Sequence, residues 1–164
     1  NINLLNEQEV TNIFSDKILT SKGLTLRSDI NFLVTNIVPP KWLKQTNLKL
    51  SKKGFIQVNN FLQNEDFKHI FASGDIADLK GFLVPKSGVY AVRQGNILSY
   101  NLRNFLTGGK LKKYFPQKKS LSLIGNGFDF AFFSFGNLTI SGYLPWILKN
   151  YIDRKYVNKY NKLF

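Results

Sequence analysis

The feature that most narrows what this chain can become is one long helix signal set directly after two short apolar runs. Pro85-Lys86-Ser87-Gly88 opens the signal and Gly108-Gly109 closes it. Between them, Val89 to Leu106 carries Ala91, Gly95, Leu98, Leu102 and Phe105 at spacings of 4, 3, 4 and 3. That period puts all five on one helical face. Ser87 is the expected N-cap, since it directly precedes the periodic run. The glycine pair is the expected C-terminal stop. Small Ala91 and Gly95 imply a close neighbour on that face, either a sheet or a ligand. The runs ahead of the helix, "GFIQVNNFL" from Gly54 and "HIFASGD" from His69, read as strands. The expected fold class is therefore α/β, or α+β within this length of chain.

The flanks add hairpins. In residues 1–47, "EVTNIF", "KILT" and "LTLRSDI" are hairpin-like, with turn signals at Ser15-Asp16 and Lys22-Gly23. "INFLVTNI" (Ile30–Ile37) is a candidate buried strand, which Pro39-Pro40 must stop because proline cannot continue a ladder. "SLSLIGNGFDFAFFSFGNLTISGYL" reads as two or three antiparallel strands with turns at Asn126-Gly127 and Gly136-Asn137. A final helix is expected over Leu144 to Leu163, with Pro145 in its first turn. Leu144, Ile147, Leu148, Tyr151 and Ile152 form its apolar stripe, and Tyr156, Val157 and Tyr160 widen it. The expected segments are 1–47, 48–109 and 110–164.

With 164 residues, 43% of them hydrophobic, the chain can build one ordinary domain or two small ones. It contains no cysteine, which excludes disulfides, thiolate metal sites and cysteine redox chemistry within these residues. That fits a reducing compartment. One histidine and 10 carboxylates, thinly spread, supply no metal site. No run of 18 apolar residues and no signal peptide is present, so the expected location is cytoplasmic, and the helix over 144–164 either packs on the 120–142 hairpin with its lysines solvated or rests on a membrane surface. The chain lacks an initiator Met, so it is expected to be a fragment.

Net charge is +13, and no acid occurs between Asp78 and Asp129, an interval that carries seven lysines and two arginines. Such a block attracts nucleic acid, anionic lipid or an anionic cofactor. It also follows from a composition rich in Asn and Lys throughout.

Most catalytic motifs are missing. "GNGFDF" (Gly125–Phe130) begins like a dinucleotide loop, but Phe130 holds the third glycine position and aromatic alternation follows instead of a helix. It reads as a hairpin turn. There is no Walker loop, no Ser-His-Asp set and no paired-carboxylate site, and His69 reads as a turn or packing residue. What remains is Ser73-Gly74-Asp75, a loop, and then the helix start. Asp75 is either part of a turn that ends a strand or a carboxylate presented from a strand's C-terminal end. A carboxylate accepts hydrogen bonds from hydroxyls, and a helix N-terminus beside Lys86 favours negative charge. A flavin nucleotide meets both needs.

The sequence here resembles a known family. "GFIQVNNFLQ…HIFASGDIAD" is similar to the second flavin fingerprint of the two-dinucleotide-fold oxidoreductases, in which Ala-x-Gly-Asp holds the FAD ribityl chain. "VPKSGVYAVRQGNILSYNLR" is similar to the flavin-facing helix of type II NADH dehydrogenases and sulfide:quinone reductases. "PKSGVYAVRQG", "FPQKKSLSLIGNG" and "ILKNYIDRKY" resemble, more narrowly, the NADH-dehydrogenase-like module that some organisms fuse ahead of selenide, water dikinase. The resemblance implies the C-terminal part of an FAD-dependent NAD(P)H oxidoreductase, with FAD as cofactor and an acceptor that includes quinone. It assigns 1–47 to the end of an NAD(P)-binding domain, 48–109 to a returning segment of the FAD-binding domain, and 110–164 to C-terminal strands and helix. It implies cofactor contacts at Gly74, Asp75, Lys86, Ser87, Gly88 and Gln94, with no protein acid or base. The implied partners are the N-terminal FAD- and NAD-binding segments, a quinone and a membrane surface, with no specific nucleic acid.

The departures from the family's pattern are specific. Asn36 stands where glycine is usual, both glycine-rich nucleotide loops are absent, and the cysteines of sulfide oxidation are absent. The rival reading is a non-enzymatic basic module that binds RNA or an anionic membrane. Tyr114, Phe115 and Phe128 lie near lysines, as in aromatic nucleic-acid readers.

Overall fold

The computed structural model describes residues 2–161. It divides into two compact units at Ile37/Val38, so the expected boundary at 47/48 lies inside the second.

The first unit is an antiparallel meander of β1 (Val10–Ile13), β2 (Lys17–Thr20) and β3 (Thr25–Arg27). The Phe14 N–H donates to the Lys17 carbonyl at 2.8 Å and closes the first turn. Gly23, at φ +80°, makes the second. The three hairpin segments are thus where the turn signals put them. The Ile30–Ile37 run is not a buried strand: among the described residues it has no ladder partner, and Phe32 and Val34 are 88% and 95% exposed. A strand exists through its ladder. Within this unit β1 to β3 pair only among themselves, which leaves the run no partner.

The second unit is organised around two short parallel strands, β4 (Ile56–Val58) and β5 (Ala77–Leu79), in register as Ile56 with Ala77 and Val58 with Leu79. Their buried side chains join Leu43, Leu62, Ala72 and Tyr114 in one hydrophobic cluster, with Ile97 and Leu98 packed against it. Asparagines shape the connection between the strands. Asn59 Oδ1 accepts from the Phe61 and Gln63 N–H groups. Fully buried Asn64 donates to the Lys49 and Gln57 carbonyls and accepts from the Asp66 and Phe67 N–H groups.

"HIFASGD" does not form a strand. Only Phe71 pairs, through a single bridge to Gln63. Gly74, at φ +69°, then turns the chain into a 3-10 turn, Gly74–Ile76, and β5 begins after it. Asp75 therefore stands before a strand, not at the C-terminal end of one.

The long helix forms as expected: α1 (Gly88–Leu106) has Ser87 in the N-cap position and a C-terminal stop in which the Gly109 N–H donates to the Asn104 carbonyl. Its buried face is rotated from the apolar one. Tyr90, Gln94 and Asn101 are buried, while Leu102 and Phe105 stay 41% and 39% exposed. The cause is hydrogen bonding. Asn101 is fully buried, donates to the Phe61 and Lys112 carbonyls at 2.8 and 2.9 Å, and accepts from the Lys112 N–H at 2.7 Å. A hydrocarbon there would leave those backbone groups without partners.

Last comes an antiparallel sheet of β6 (Leu121–Gly125), β7 (Ala131–Phe135) and β8 (Leu138–Gly142), with turns at the expected dipeptides. Helix α2 (Tyr143–Asn161) packs on this sheet, with Pro145 buried in its first turn. The expected end of this helix at Leu163 lies outside the described residues. No described helix is long and apolar enough to cross a membrane.

Asn101→Ala should lower the stability of the chain by about 3 kcal/mol, because it strips partners from three backbone groups around α1. The midpoint of urea unfolding measures it.

Candidate functional site

The chain enters α1 through Val84-Pro85-Lys86-Ser87. Pro85 and the extended backbone of Ser87 (φ −152°, ψ 156°) stop any helix from starting earlier. The Ser87 carbonyl accepts from the Tyr90 and Ala91 N–H groups, but its hydroxyl does not cap the helix. That hydroxyl and the first amides of α1 remain free for a ligand.

Opposite them lies the 3-10 turn. A Cβ built on Gly74 would come 3.4 Å from the Ala91 Cβ, so the turn approaches the helix at a pair of small residues. The contact is fixed by a hydrogen bond of 2.5 Å from the Gly74 N–H to Gln94 Oε1. The turn and helix flank a shallow crevice too tight to admit a water molecule between them. Five of the six residues expected to contact a cofactor line it: Gly74, Asp75, Lys86, Ser87 and Gln94. The sixth, Gly88, is the exposed first residue of α1.

These residues are engaged in different ways. Asp75 is exposed, and among the described residues it makes no hydrogen bond or ion pair. Lys86 is already occupied. Its ammonium donates to the Ala77 carbonyl at 2.5 Å, pairs with Asp78 Oδ1 at 2.8 Å and lies 4.0 Å above the Phe55 ring. Asp78 Oδ2 also accepts from the Ser51 hydroxyl at 2.6 Å. Burial works against ionisation of Asp78. The hydrogen bonds from Lys86 and Ser51, with the charges of Lys86 and Lys53, outweigh it and hold the carboxyl below its ordinary value. Lys86 thus fastens the helix approach to β5.

This site contains elements that sequence reading missed. The Ser51–Asp78–Lys86 linkage spans residues too far apart for spacing to reveal it. Tyr114, read as one aromatic in a basic linker, is only 4% exposed and belongs to the core. Its alternation with lysines hid it, and its burial removes it as a base-stacking platform. Phe115 and Phe128 are exposed at 66% and 81%.

Residues 1–95 match the family model described as pyridine nucleotide-disulphide oxidoreductase. The chain belongs to this family. It is 37% identical over 102 residues to ferroptosis suppressor protein 1 of Mus musculus, an overlap of 61% of this chain and 26% of that protein. The Taeniopygia guttata protein of the same name is 34% identical over 101 residues, 60% of this chain and 26% of that one. The chain therefore spans about a quarter of the length of the curated relatives it matches. The sulfide:quinone oxidoreductase of Aquifex aeolicus has the same fold over 93% of this chain and 40% of its own, with a TM-score of 0.66 at 18% identity. A NAD-dependent persulfide reductase of A. fulgidus superposes over 80% of this chain and 25% of its own, with a TM-score of 0.57 at 22% identity. The fold is thus that of the FAD/NAD(P) oxidoreductases, as the resemblance implied.

The folded-state pKa of Asp78 is depressed. Its stabilising contribution is complete above about its ordinary value of 3.8 and is lost as pH falls below that. Lys86→Met should destabilise the chain by about 1–2 kcal/mol near neutral pH and shrink this acid-driven loss. Thermal melts from pH 2 to 7 of both proteins measure the two effects.

Proposed function

We propose that this chain is the C-terminal portion of an FAD-dependent oxidoreductase that passes electrons from NAD(P)H through the flavin to an acceptor, with quinone the favoured class. On this reading residues 1–47 end the nicotinamide-nucleotide domain, 48–109 return to the flavin domain, and 110–164 form the C-terminal strands and helix. The observation that carries it is the crevice, where an uncommitted carboxylate, Asp75, lines the same surface as the uncapped start of α1.

The donor set fits a flavin nucleotide. Asp75 accepts from hydroxyls such as those of a ribityl chain. The Ser87 hydroxyl, the Gly88 amide and the positive end of α1 suit the part of the ring that gains negative charge. Gly74 keeps the backbone close to the helix, Gln94 holds that turn in place, and Lys86 positions the loop. When bound, the flavin supplies the electron transfer, so no side chain of this chain need act as acid or base. Quinone as the acceptor is supported by one structural neighbour, a sulfide:quinone oxidoreductase. Cysteine is absent from this sequence, so the reading does not extend to sulfide oxidation by these residues. The narrower reading, a module joined to selenide, water dikinase, rests on the sequence resemblance alone.

Asp75→Ala in the full-length flavoprotein should lower FAD affinity ten- to hundredfold, the cost of losing roughly 1.5–3 kcal/mol of charge-assisted hydrogen bonding. Flavin absorbance per mole of protein reads this. Unchanged flavin content with a large drop in melting temperature would make Asp75 a structural turn residue instead.

Membrane contact through α2 is part of the same proposal. Leu144, Tyr151 and Val157 are 77%, 62% and 52% exposed on a helix that also carries Lys149, Arg154, Lys155 and Lys159. Exposed apolar and aromatic groups flanked by lysines suit a headgroup zone. Cosedimentation with anionic liposomes at low salt, with and without residues 144–164, tests it. Binding should depend on that segment and weaken with salt, at about 1 kcal/mol for each basic residue near the surface. Equal binding by both forms, or none by either, removes α2 as an anchor.

A further inference from the structure

Helix α2 keeps one side against the β6–β8 sheet and turns the other outward. On the packed side Pro145 is buried, and the Lys149 stem lies 3.4 Å from where a Cβ on Gly125 of β6 would stand. Leu144, Leu148, Tyr151, Lys155 and Asn158, at spacings of 4, 3, 4 and 3, share the outer side, and all five are exposed.

That outer side is divided along the helix axis. Its first half, Leu144, Ile147, Leu148 and Tyr151, carries no charge. Its second half carries Arg154, Lys155 and Lys159 and no acid. Asp153, the one acid among the described residues of α2, is paired with Lys149. Among the described residues Arg154, Lys155 and Lys159 have no ion-pair partner, whereas Lys80, Lys86 and Lys149 each have one. The basic half is also shaped. Tyr151, Arg154, Lys155, Asn158 and Lys159 line an open recess of about 570 Å³, with the Lys155 ammonium 5.7 Å above the Tyr151 ring.

An interfacial helix that lies flat separates apolar from basic residues by face. Separation along the axis fits a helix that enters obliquely, with its N-terminal half deeper. From Leu144 to Tyr151 is about 10 Å at ~1.5 Å per residue, which matches the roughly 5–10 Å burial of such helices. The β6–β7 turn adds a second apolar tip. Gly125 pairs with Ala131 and Ala131 with Gly142, so this turn and the start of α2 lie at the same end of the sheet, and Phe128 on the turn is 81% exposed. Tyr151 then falls at the boundary, and the recess falls at headgroup level. Three cations around one recess call for more than a single negative charge, and a guanidinium forks two oxygens of one phosphate.

We infer that the recess on α2 takes the phosphomonoester headgroup of an anionic phospholipid, with Arg154 forking the phosphate, Lys155 and Lys159 pairing with its charge and Asn158 donating to it. This rests on the membrane reading above and adds to it a headgroup site and an orientation.

The experiment uses the full-length protein and phosphatidylcholine vesicles that contain either phosphatidic acid or phosphatidylglycerol, matched in measured zeta potential. Cosedimentation gives the two dissociation constants. The wild type should bind the phosphatidic acid vesicles at least fivefold more tightly. Arg154→Lys keeps the charge and loses the fork, so it should erase most of that preference while binding to phosphatidylglycerol vesicles holds. Lys159→Gln should weaken binding to phosphatidic acid vesicles about fivefold, the equivalent of ~1 kcal/mol. Leu144→Gln should weaken binding to both vesicles alike. These side chains are exposed, so melting temperatures should stay at the wild-type value; if Arg154→Lys does not fold, Lys159→Gln decides alone. Equal wild-type binding at matched potential, or a preference that survives both Arg154→Lys and Lys159→Gln, overturns the headgroup site and leaves the membrane reading standing. Soluble glycerol 3-phosphate bound as tightly as the vesicles also overturns it, since the recess is then a phosphate site without a lipid. Binding to neither vesicle overturns the membrane reading itself, so the two failures are distinct.

Discussion

Helix α1 is tied to the loops around it by buried side-chain amides, and the rest of the second unit depends on those ties. Asn101 joins the helix to the chain at Phe61 and at Lys112. Gln94, two turns earlier, joins it to the turn at Gly74. Asn64 closes the connection between β4 and β5 from inside. Apolar packing alone would let a helix slide or rotate over a two-stranded sheet. A buried amide cannot slide, because each displaced hydrogen bond would leave a dehydrated backbone group without a partner. The hydrophobic cluster supplies the driving force, and the amides set the register that brings the Gly74 turn to the start of α1.

The same fact explains which parts of the fold could be read in the sequence. The limits of α1 were legible because proline, an extended serine and a glycine pair act locally on the backbone. The β6 to β8 turns and the early hairpins were legible for the same reason. The buried face of α1 was not, since hydrophobic periodicity counts Gln94 and Asn101 as polar and therefore outward. The Ile30–Ile37 run was misread in the opposite direction: its apolar character is real, but burial needs a partner that the first unit does not provide. "HIFASGD" failed as a strand because His69 lies in a turn and only Phe71 bridges, and Gly74 at positive φ then turns the chain before Asp75.

At the crevice, five of the six expected residues converge, which reflects how compact the motif is: a turn, a short parallel strand and a helix start within about twenty residues bring them together. What the sequence concealed was the division of labour among them. Lys86 resembled a free cation beside a helix N-terminus. In the folded chain its charge is shared with Asp78, its proton donors with the Ala77 carbonyl, and its face with Phe55. A cation so engaged adds little net field at the crevice.

The electrostatic character of the crevice therefore comes from the backbone. With Lys86 neutralised by Asp78, the fixed positive element is the start of α1, whose first amides have no intrahelical acceptor. Backbone dipoles do not titrate and need no reorganisation when charge develops nearby, whereas a mobile lysine would do both. Asp75 sits on the same crevice as the one uncommitted anion, and at close range it would repel a negatively charged group while accepting from a hydroxyl. The two elements thus favour different parts of a ligand. A molecule that satisfies both must carry hydroxyls toward the Gly74 turn and a group able to bear negative charge toward Ser87 and Gly88. A simple inorganic anion meets only the second demand, and a sugar meets only the first.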